Sequence, residues 1–326
     1  MLSNKLNKLN ESLIAELQLQ FPGLVEADVD LSKTSRWRIG GIAKAVIRPC
    51  TIEQLCRLRR WIKSHSLASV VIGETSNLLF SDEGLEVVCI QLGKGFSEIH
   101  IDADHGVISV GASAWVPLVA RKAMQYGIAG LEHICGIPGT MGGLVCMNGG
   151  SMRHGISEAI LEVSSVTDDG LLITRSALGC NFSYRQSIFQ SLDEIIVSVK
   201  LHSSITAAPA SIRRNILNIL KSRRTKFPRK LPNCGSVFVS DPAMYERFGA
   251  PGKIIENLGY KGFRDGGAMI STDHANFIVN ISDASSRDVL NIVNHIRKVV
   301  LNQTGFRMVA EVRYVNRFGE VSLIES

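Results

Sequence analysis

The chain lacks the short motifs that mark a metal site, a disulfide framework or a common nucleotide fold. Its seven cysteines, Cys50, Cys56, Cys89, Cys135, Cys146, Cys180 and Cys234, form no C-x-x-C pair and are odd in number. Most sit beside apolar residues, so free thiols in a reducing compartment fit better than disulfides or zinc. The eight histidines are scattered, with no H-E-x-x-H, and no metal is expected. There is no G-x-G-x-x-G and no glycine run followed by Lys-Ser/Thr, which excludes the Rossmann and P-loop fingerprints. Lys5 and Lys8 are not followed by an apolar run, so no signal peptide is expected. The longest uncharged stretch, 133–152, is too rich in glycine for a lipid-spanning helix. The expectation is a cytoplasmic protein that engages no membrane.

A length of 326 residues allows two or three domains, and 45% hydrophobic with 20% charged residues is ordinary for a globular protein. The net charge of +6 is localised. Arg213, Arg214, Lys221, Arg223, Arg224, Lys226, Arg229 and Lys230 have no acid among them. Without these eight of the 36 cations the rest is 28 against 30 acids. Such a strip steers an anionic ligand, or is a solvated helix face. Aromatics make up 6% of the chain, and the strip holds only Phe227, without the repeated interleaving of nucleic-acid readers.

Hydrophobic periodicity predicts an N-terminal helix over 4–20 with Leu6, Leu9, Leu13, Ile14 and Leu17 on one side. A strand over 44–48 precedes a helix opened by Thr51 and Gln54 in capping-box spacing. Leu55, Leu58 and Ile62 form its inner face. Strands are expected at 70–72, 87–90, 107–110, 161–167, 171–174, 195–201 and 308–315. Helices are expected at 115–126, 212–224 and 286–301, and Ala207–Ala210 reads as a linker. This alternation is α+β, in at least two units divided near residue 205.

Most informative is Gly136-Ile137-Pro138-Gly139-Thr140-Met141-Gly142-Gly143, with four glycines and a proline in eight residues. Glycines this dense build either a tight loop between core elements or a backbone surface that presses on a ligand. Three other residues invite a chemical reading. Ser236 follows a glycine, though no G-x-S-x-G elbow surrounds it. Arg185 lies between aromatics, either as a stacked structural cation or as a fixed charge for an anion. Glu311 shares a strand face with Val309 and Arg313, and a surface ion pair with Arg313 is the simpler account.

In order along residues 34–323, these segments resemble the UDP-N-acetylenolpyruvoylglucosamine reductase family. The resemblance rests on Thr34 through Arg38-Ile39-Gly40-Gly41, Ile72-Gly73-Glu74-Thr75-Ser76-Asn77-Leu78-Leu79, Gly130-Leu131-Glu132 with Gly136–Gly143 and Asn148, Phe182–Ser187, Cys234–Phe238, His274–Asn280 and Glu311-Val312-Arg313. It implies an FAD-binding fold of the vanillyl-alcohol-oxidase (PCMH) type in two subdomains, plus a C-terminal α+β substrate domain. The implied division is an N-terminal arm (1–30), an FAD-binding region (31–205, split near 70) and a substrate domain (206–326). Between Phe238 and Lys253 the chain resembles the compact subtype, which lacks a tyrosine-bearing insertion. The resemblance also implies FAD and NADPH as cofactors. FAD would lie on Gly73, Glu74, Thr75, Ser76, Asn77, Leu78, Gly136, Ile137, Pro138, Gly139, Thr140, Gly142, Gly143 and Asn148. Ser236, Arg185 and Glu311 would be catalytic, and Lys226, Tyr184 and Asn280 would hold the substrate. The implied partner is a nucleotide sugar, with no nucleic acid, in a monomer or weak homo-oligomer.

Three places depart from the family pattern. Thr75 stands where a glycine is usual. The loop after Asn148 reads Gly149-Gly150-Ser151-Met152-Arg153-His154-Gly155 and has no tyrosine. Val239-Ser240-Asp241-Pro242 replaces a lysine-bearing segment. The alternatives are a flavoenzyme of the same fold acting on another nucleotide sugar, and a non-catalytic nucleotide-sugar or nucleic-acid binder.

Overall fold

The computed structural model describes residues 7–324. The chain folds as two compact units, each discontinuous in sequence. The first takes residues up to Val25, Ile47–Glu74 and Ile90–Arg223; the second takes Glu26–Val46, Thr75–Cys89 and Arg224 onward.

The N-terminal helix is shorter than its periodicity suggests, running Glu11–Gln20. Asn10 sets its start, because its side chain accepts the Leu13 N–H at 2.9 Å. Asn7 pairs instead with Leu67 as a parallel bridge. Residues 4–6 of the expected helix lie outside the described residues. The helix Ile52–Ser64 begins as expected, with the Thr51–Gln54 capping box formed in both directions and Leu55, Leu58 and Ile62 buried.

The first unit is built on an antiparallel sheet of five strands. Their order is Leu172–Ser176, Ile160–Val166, Ile195–His202, Val107–Gly111, Ile99–Asp102. Val163 faces Val199, and Val199 faces Val110, across the central ladders. These valines pack with Val116 and Val119 of the helix Val116–Gln125 and with Ile212 and Ile216 of the basic helix. That basic helix runs Pro209–Lys226. Half of the expected linker is therefore its first turn, where proline needs no N–H partner. Arg59 is almost fully buried and donates to Ser69 Oγ (3.0 Å), the Asp193 carbonyl (3.1 Å) and the Thr167 carbonyl (3.3 Å).

In the second unit Val25–Asp30, Ile42–Ile47 and Leu85–Ile90 lie side by side in that order. Leu78–Phe80 runs parallel to Arg313–Val315, which pairs antiparallel with Val321–Leu323. A further sheet orders Arg264–Asp265, Ala268–Ile270 and Ile278–Asn280. The helix Ser286–Thr304 buries Val289, Ile292, Val293, Ile296 and Val300 in this unit's core. The expected strand over 308–315 is regular only from Arg313. Before it, Ala310 forms only an isolated antiparallel bridge with Phe238, yet Met308, Ala310 and Val312 are buried while Val309 is exposed. The side chains therefore still alternate.

Leu58 is fully buried and Thr51 closes the capping box. Leu58→Ala is expected to cost about 2–5 kcal/mol and Thr51→Ala about 1 kcal/mol. Urea midpoints measure both. A Leu58 loss smaller than the Thr51 loss would contradict this packing.

Candidate active site

The glycine run is half loop and half helix. A short helix, Met141–Cys146, starts inside it, and Thr140 caps the turn by accepting the Gly143 N–H at 3.3 Å. The strand-like contact of Trp115 with Thr140 anchors the run, with Val116 N–H on the Gly139 carbonyl (3.0 Å) and Met141 N–H on the Ala114 carbonyl (2.9 Å). The N–H groups of Ile137, Gly142 and Gly143 are also engaged within the protein. Among the described residues, those of Gly73, Gly136, Gly139 and Thr140 have no protein acceptor. Two of these positions have no room for a side chain. A Cβ on Gly73 would stand 2.9 Å from Thr140 Oγ1, and one on Gly136 would stand 2.5 Å from Cδ and Nε of Arg223.

Arg223 thus reaches the glycine run from the basic helix. Burial pulls its pKa below the usual value, with the nearby Cys135 thiol opposing. Sequence reasoning singled out Lys226 from this strip and gave Arg223 no separate role. Its helical phase was the available signal: Ile212, Ile216, Ile219 and Arg223 follow one another at spacings of four, three and four, which is one inward face.

Arg185 sits at the corner of a tight turn closed by Ser183 and Gln186, whose backbones bond in both directions at 3.2 and 3.1 Å. Its φ of +59 is in the left-handed region, rare for a side-chain-bearing residue. Its guanidinium donates to the carbonyls of Gly150 (3.1 Å) and Asn148 (3.4 Å) and stands 5.2 Å from the Tyr184 ring centroid. Tyr184 itself is half exposed. Gly150 and Ser151 pair with Gly155 and His154 in a two-residue hairpin whose corners, Met152 and Arg153, both have positive φ. That is the geometry that asparagine and glycine ordinarily supply.

The second unit brings Ser236 and Glu311 onto adjacent backbone segments. Glu311 N–H donates to the Val237 carbonyl at 2.7 Å, and Val239 N–H to the Val309 carbonyl at 2.9 Å. Asn77 clamps the same segment, its Nδ2 on the Glu311 carbonyl (3.1 Å) and its own carbonyl taking Arg313 N–H (3.0 Å). Cys234 Sγ donates to the carbonyls of Thr75 (3.3 Å) and Leu78 (3.6 Å), and burial pushes its pKa up to about 12. It is an inert structural thiol. Thr75, buried at φ +54, occupies a position glycine would take without strain. Left-handed backbone costs a residue roughly 1–2 kcal/mol. Part is offset by Thr75 Oγ1, which accepts Arg36 N–H at 2.9 Å. Ser76 and Asn77 are half-buried, Leu78 opens a strand and Glu74 is exposed.

The other expected residues divide. Exposed Lys226 ends the basic helix, and its charge is one cause of the lowered pKa of His274, after burial and Lys261. The His274 ring packs against Phe227 and Phe277. Asn280 is buried among backbone groups. Its Nδ2 donates to the carbonyls of Trp37 (3.0 Å) and Arg38 (3.4 Å), and its Oδ1 accepts Ala284 N–H (3.2 Å). Asp241 explains its own departure from the family pattern: it caps a helix Pro242–Phe248 by accepting Met244 N–H at 3.0 Å. No cluster of metal-ligating side chains occurs among the described residues. None of their helices is long and apolar enough to cross a membrane.

Comparison with known proteins agrees with this geometry. Residues 43–176 match the FAD binding domain family, and the chain is an FAD-dependent oxidoreductase. Residues 227–315 match the C-terminal domain of UDP-N-acetylenolpyruvoylglucosamine reductase. The chain is 41% identical to UDP-N-acetylenolpyruvoylglucosamine reductase 1 of Corynebacterium glutamicum, over 97% of this chain and 94% of that one. It is 36% identical to the reductase of Prochlorococcus marinus, over 89% and 97%. The crystal structure of the Thermus caldophilus reductase superposes with a TM-score of 0.74 at 29% identity, covering 89% of this chain and 98% of that one. The chain belongs to the UDP-N-acetylenolpyruvoylglucosamine reductase family, and the expected fold class holds.

The glycine cradle fits FAD. Unengaged backbone donors at positions without Cβ atoms admit diphosphate oxygens closely, and Arg223 adds a cation beside them. Gly136→Ala is expected to displace Arg223 and weaken FAD binding about tenfold or more. Titration of the apoprotein by flavin fluorescence measures this; unchanged affinity would remove Gly136 and Arg223 from the cofactor site.

His133 gives a pH signature. It is buried, and burial lowers its pKa from the ordinary 6.5. The folded protein therefore favours the neutral ring. Stability is full above about pH 6.5 and falls as pH drops from there through the folded pKa. His133→Gln is expected to flatten the fall of Tm between about pH 7 and 5. Parallel Tm profiles for the two proteins would show that His133 takes up no extra proton on unfolding.

Proposed function

We propose that this oxidoreductase reduces the enolpyruvyl ether of UDP-N-acetylglucosamine-enolpyruvate to UDP-N-acetylmuramate, with NADPH as reductant, in peptidoglycan precursor synthesis. The observation that carries the reading is the pairing of the Ser236 and Glu311 segments through the bond between Glu311 N–H and the Val237 carbonyl. It sets a hydroxyl and a carboxyl on neighbouring backbone segments, as a reaction that ends in protonation of a carbanion requires. The 41% identity to a named reductase over almost the whole chain supports the same substrate.

FAD, which the backbone donors of Gly73, Gly136 and Gly139 and the Arg223 cation would hold, would supply the redox chemistry, hydride transfer from NADPH to the vinyl CH₂ carbon of the substrate. Negative charge then develops on the neighbouring carbon and its carboxylate. Arg185 acts as the fixed cation for that charge, and Glu311, protonated, donates a hydrogen bond to the enol form. Ser236 gives its proton to the carbanion, completing the lactyl ether, and regains one from solvent. Free serine is too weak an acid for this; placement against a strongly basic carbon makes the transfer feasible. Lys226 and Tyr184 face the nucleotide sugar, and Asn280 contributes by holding the backbone at Trp37 and Arg38. Residues 31–205 serve the flavin and residues 206–326 the substrate, in a monomer or weak homo-oligomer that binds no nucleic acid and works in the cytoplasm.

The hairpin 150–155 favours a second reading, a related nucleotide sugar as substrate, because its sequence differs from the family pattern beside Arg185. Anaerobic mixing of reduced enzyme with UDP-N-acetylglucosamine-enolpyruvate separates the two. Rapid flavin reoxidation supports the first reading, and its absence supports the second. Ser236→Ala is expected to leave flavin reduction by NADPH within about twofold and to slow reoxidation by substrate at least ~100-fold. Equal losses in both half-reactions would exclude Ser236 as the proton donor.

A further inference from the structure

The Asn148 side chain is buried and turned toward the protein's own backbone. It is 6% exposed, and both ends of its amide are engaged within the protein. Its Nδ2 donates to the Ser183 carbonyl at 2.7 Å, and its Oδ1 accepts Ser157 N–H at 3.1 Å. The Ser183 carbonyl is the one that also accepts Gln186 N–H and so closes the turn bearing Arg185. The backbone carbonyls of Asn148 and Gly150 receive the Arg185 guanidinium. Gly155 leaves room for this arrangement, since a Cβ there would stand 2.9 Å from Asn148 Oδ1. Behind the turn, Gln190 Nε2 donates to the carbonyls of Arg185 (3.0 Å) and Cys146 (2.9 Å). Asn148 and Arg185 are both in the left-handed region, at φ +40 and +59. Asparagine adopts this conformation readily, whereas for arginine it is costly and is kept by the bonds around it.

We infer that Asn148 is a positioning residue for Arg185. Its side-chain amide holds the Ser183–Gln186 turn, and its main chain, with that of Gly150, aims the guanidinium. The inference rests on the role given to Arg185 above, and it gives the Asn148 side chain a task other than flavin contact. It also gives the hairpin 150–155 a task, since the Gly150 carbonyl that steers Arg185 lies on its first strand.

Asn148→Asp tests this. Aspartate tolerates the left-handed backbone and retains the acceptor for Ser157 N–H, but it sets an oxygen against the Ser183 carbonyl. The expected result is a ~10- to 100-fold slower reoxidation by substrate, with FAD affinity and reduction by NADPH within about twofold of wild type. In an Arg185→Ala background the same substitution should cost nothing more, because the group it positions is gone. Asn148→Gly suits the positive φ, also removes the bond to Ser183, and should behave alike if the aspartate variant folds poorly. The inference is overturned if FAD affinity falls in step with substrate reduction, or if the penalty persists undiminished without Arg185. If Arg185→Ala alone leaves substrate reoxidation unchanged, the role assigned to Arg185 fails first and this inference with it.

Discussion

One main-chain hydrogen bond, 2.7 Å from Glu311 N–H to the Val237 carbonyl, joins two distant stretches of chain that carry the proposed proton donor and its acidic neighbour. A side chain is aimed only as well as the backbone beneath it is held. Here the holding is done by peptide groups and by Asn77 and Asn276, amide side chains that bond to backbone on neighbouring segments. Asn276 takes the Phe238 N–H with its Oδ1 and returns Nδ2 to the Phe238 carbonyl, while its own carbonyl accepts Val237 N–H. The segment after Ser236 is thereby satisfied without using the serine hydroxyl. A buried amide that lost such a partner would carry a penalty of about 1–3 kcal/mol, so the arrangement resists small displacements.

A second theme is strain placed beside the proposed chemistry and held there by bonds. Thr75, Asn148, Met152, Arg153 and Arg185 all have positive φ without being glycine. Thr75 is steadied by Arg36 N–H, and the turn at Arg185 by Asn148 and Gln190. Left-handed residues that persist because their surroundings over-determine them are a feature of ligand-handling sites. A glycine at position 75 would avoid the strain. This chain carries a threonine there, whose hydroxyl returns part of the energy.

Much of the fold was legible because its signals are local. The capping box at Thr51, the stripe of the helix Ser286–Thr304 and the apolar strands of the first unit depend on residues within a turn or two of each other. The helices Pro242–Phe248 and Pro251–Asn257 were not legible as helices. Seven residues are about two turns, too few to display a hydrophobic period, and a proline at the first helical position reads as a turn until the Asp241 cap is seen. The strand expected over 308–315 rests on an alternation that is real, but before Arg313 the pairing is a single antiparallel bridge of Ala310 with Phe238 in place of a continuous ladder.

The sequence by itself determined where the glycines remove Cβ atoms and where the longer helices and most of the strands form. These follow from conformational freedom and periodicity encoded over a few neighbouring positions. Tertiary structure alone decided that Arg223 crosses Gly136, that Asn148 and Asn280 bond to backbone, and that the Ser236 and Glu311 segments are neighbours. Those outcomes depend on hydrogen bonds and packing between residues tens to hundreds of positions apart. No local pattern records which distant carbonyl an amide will meet.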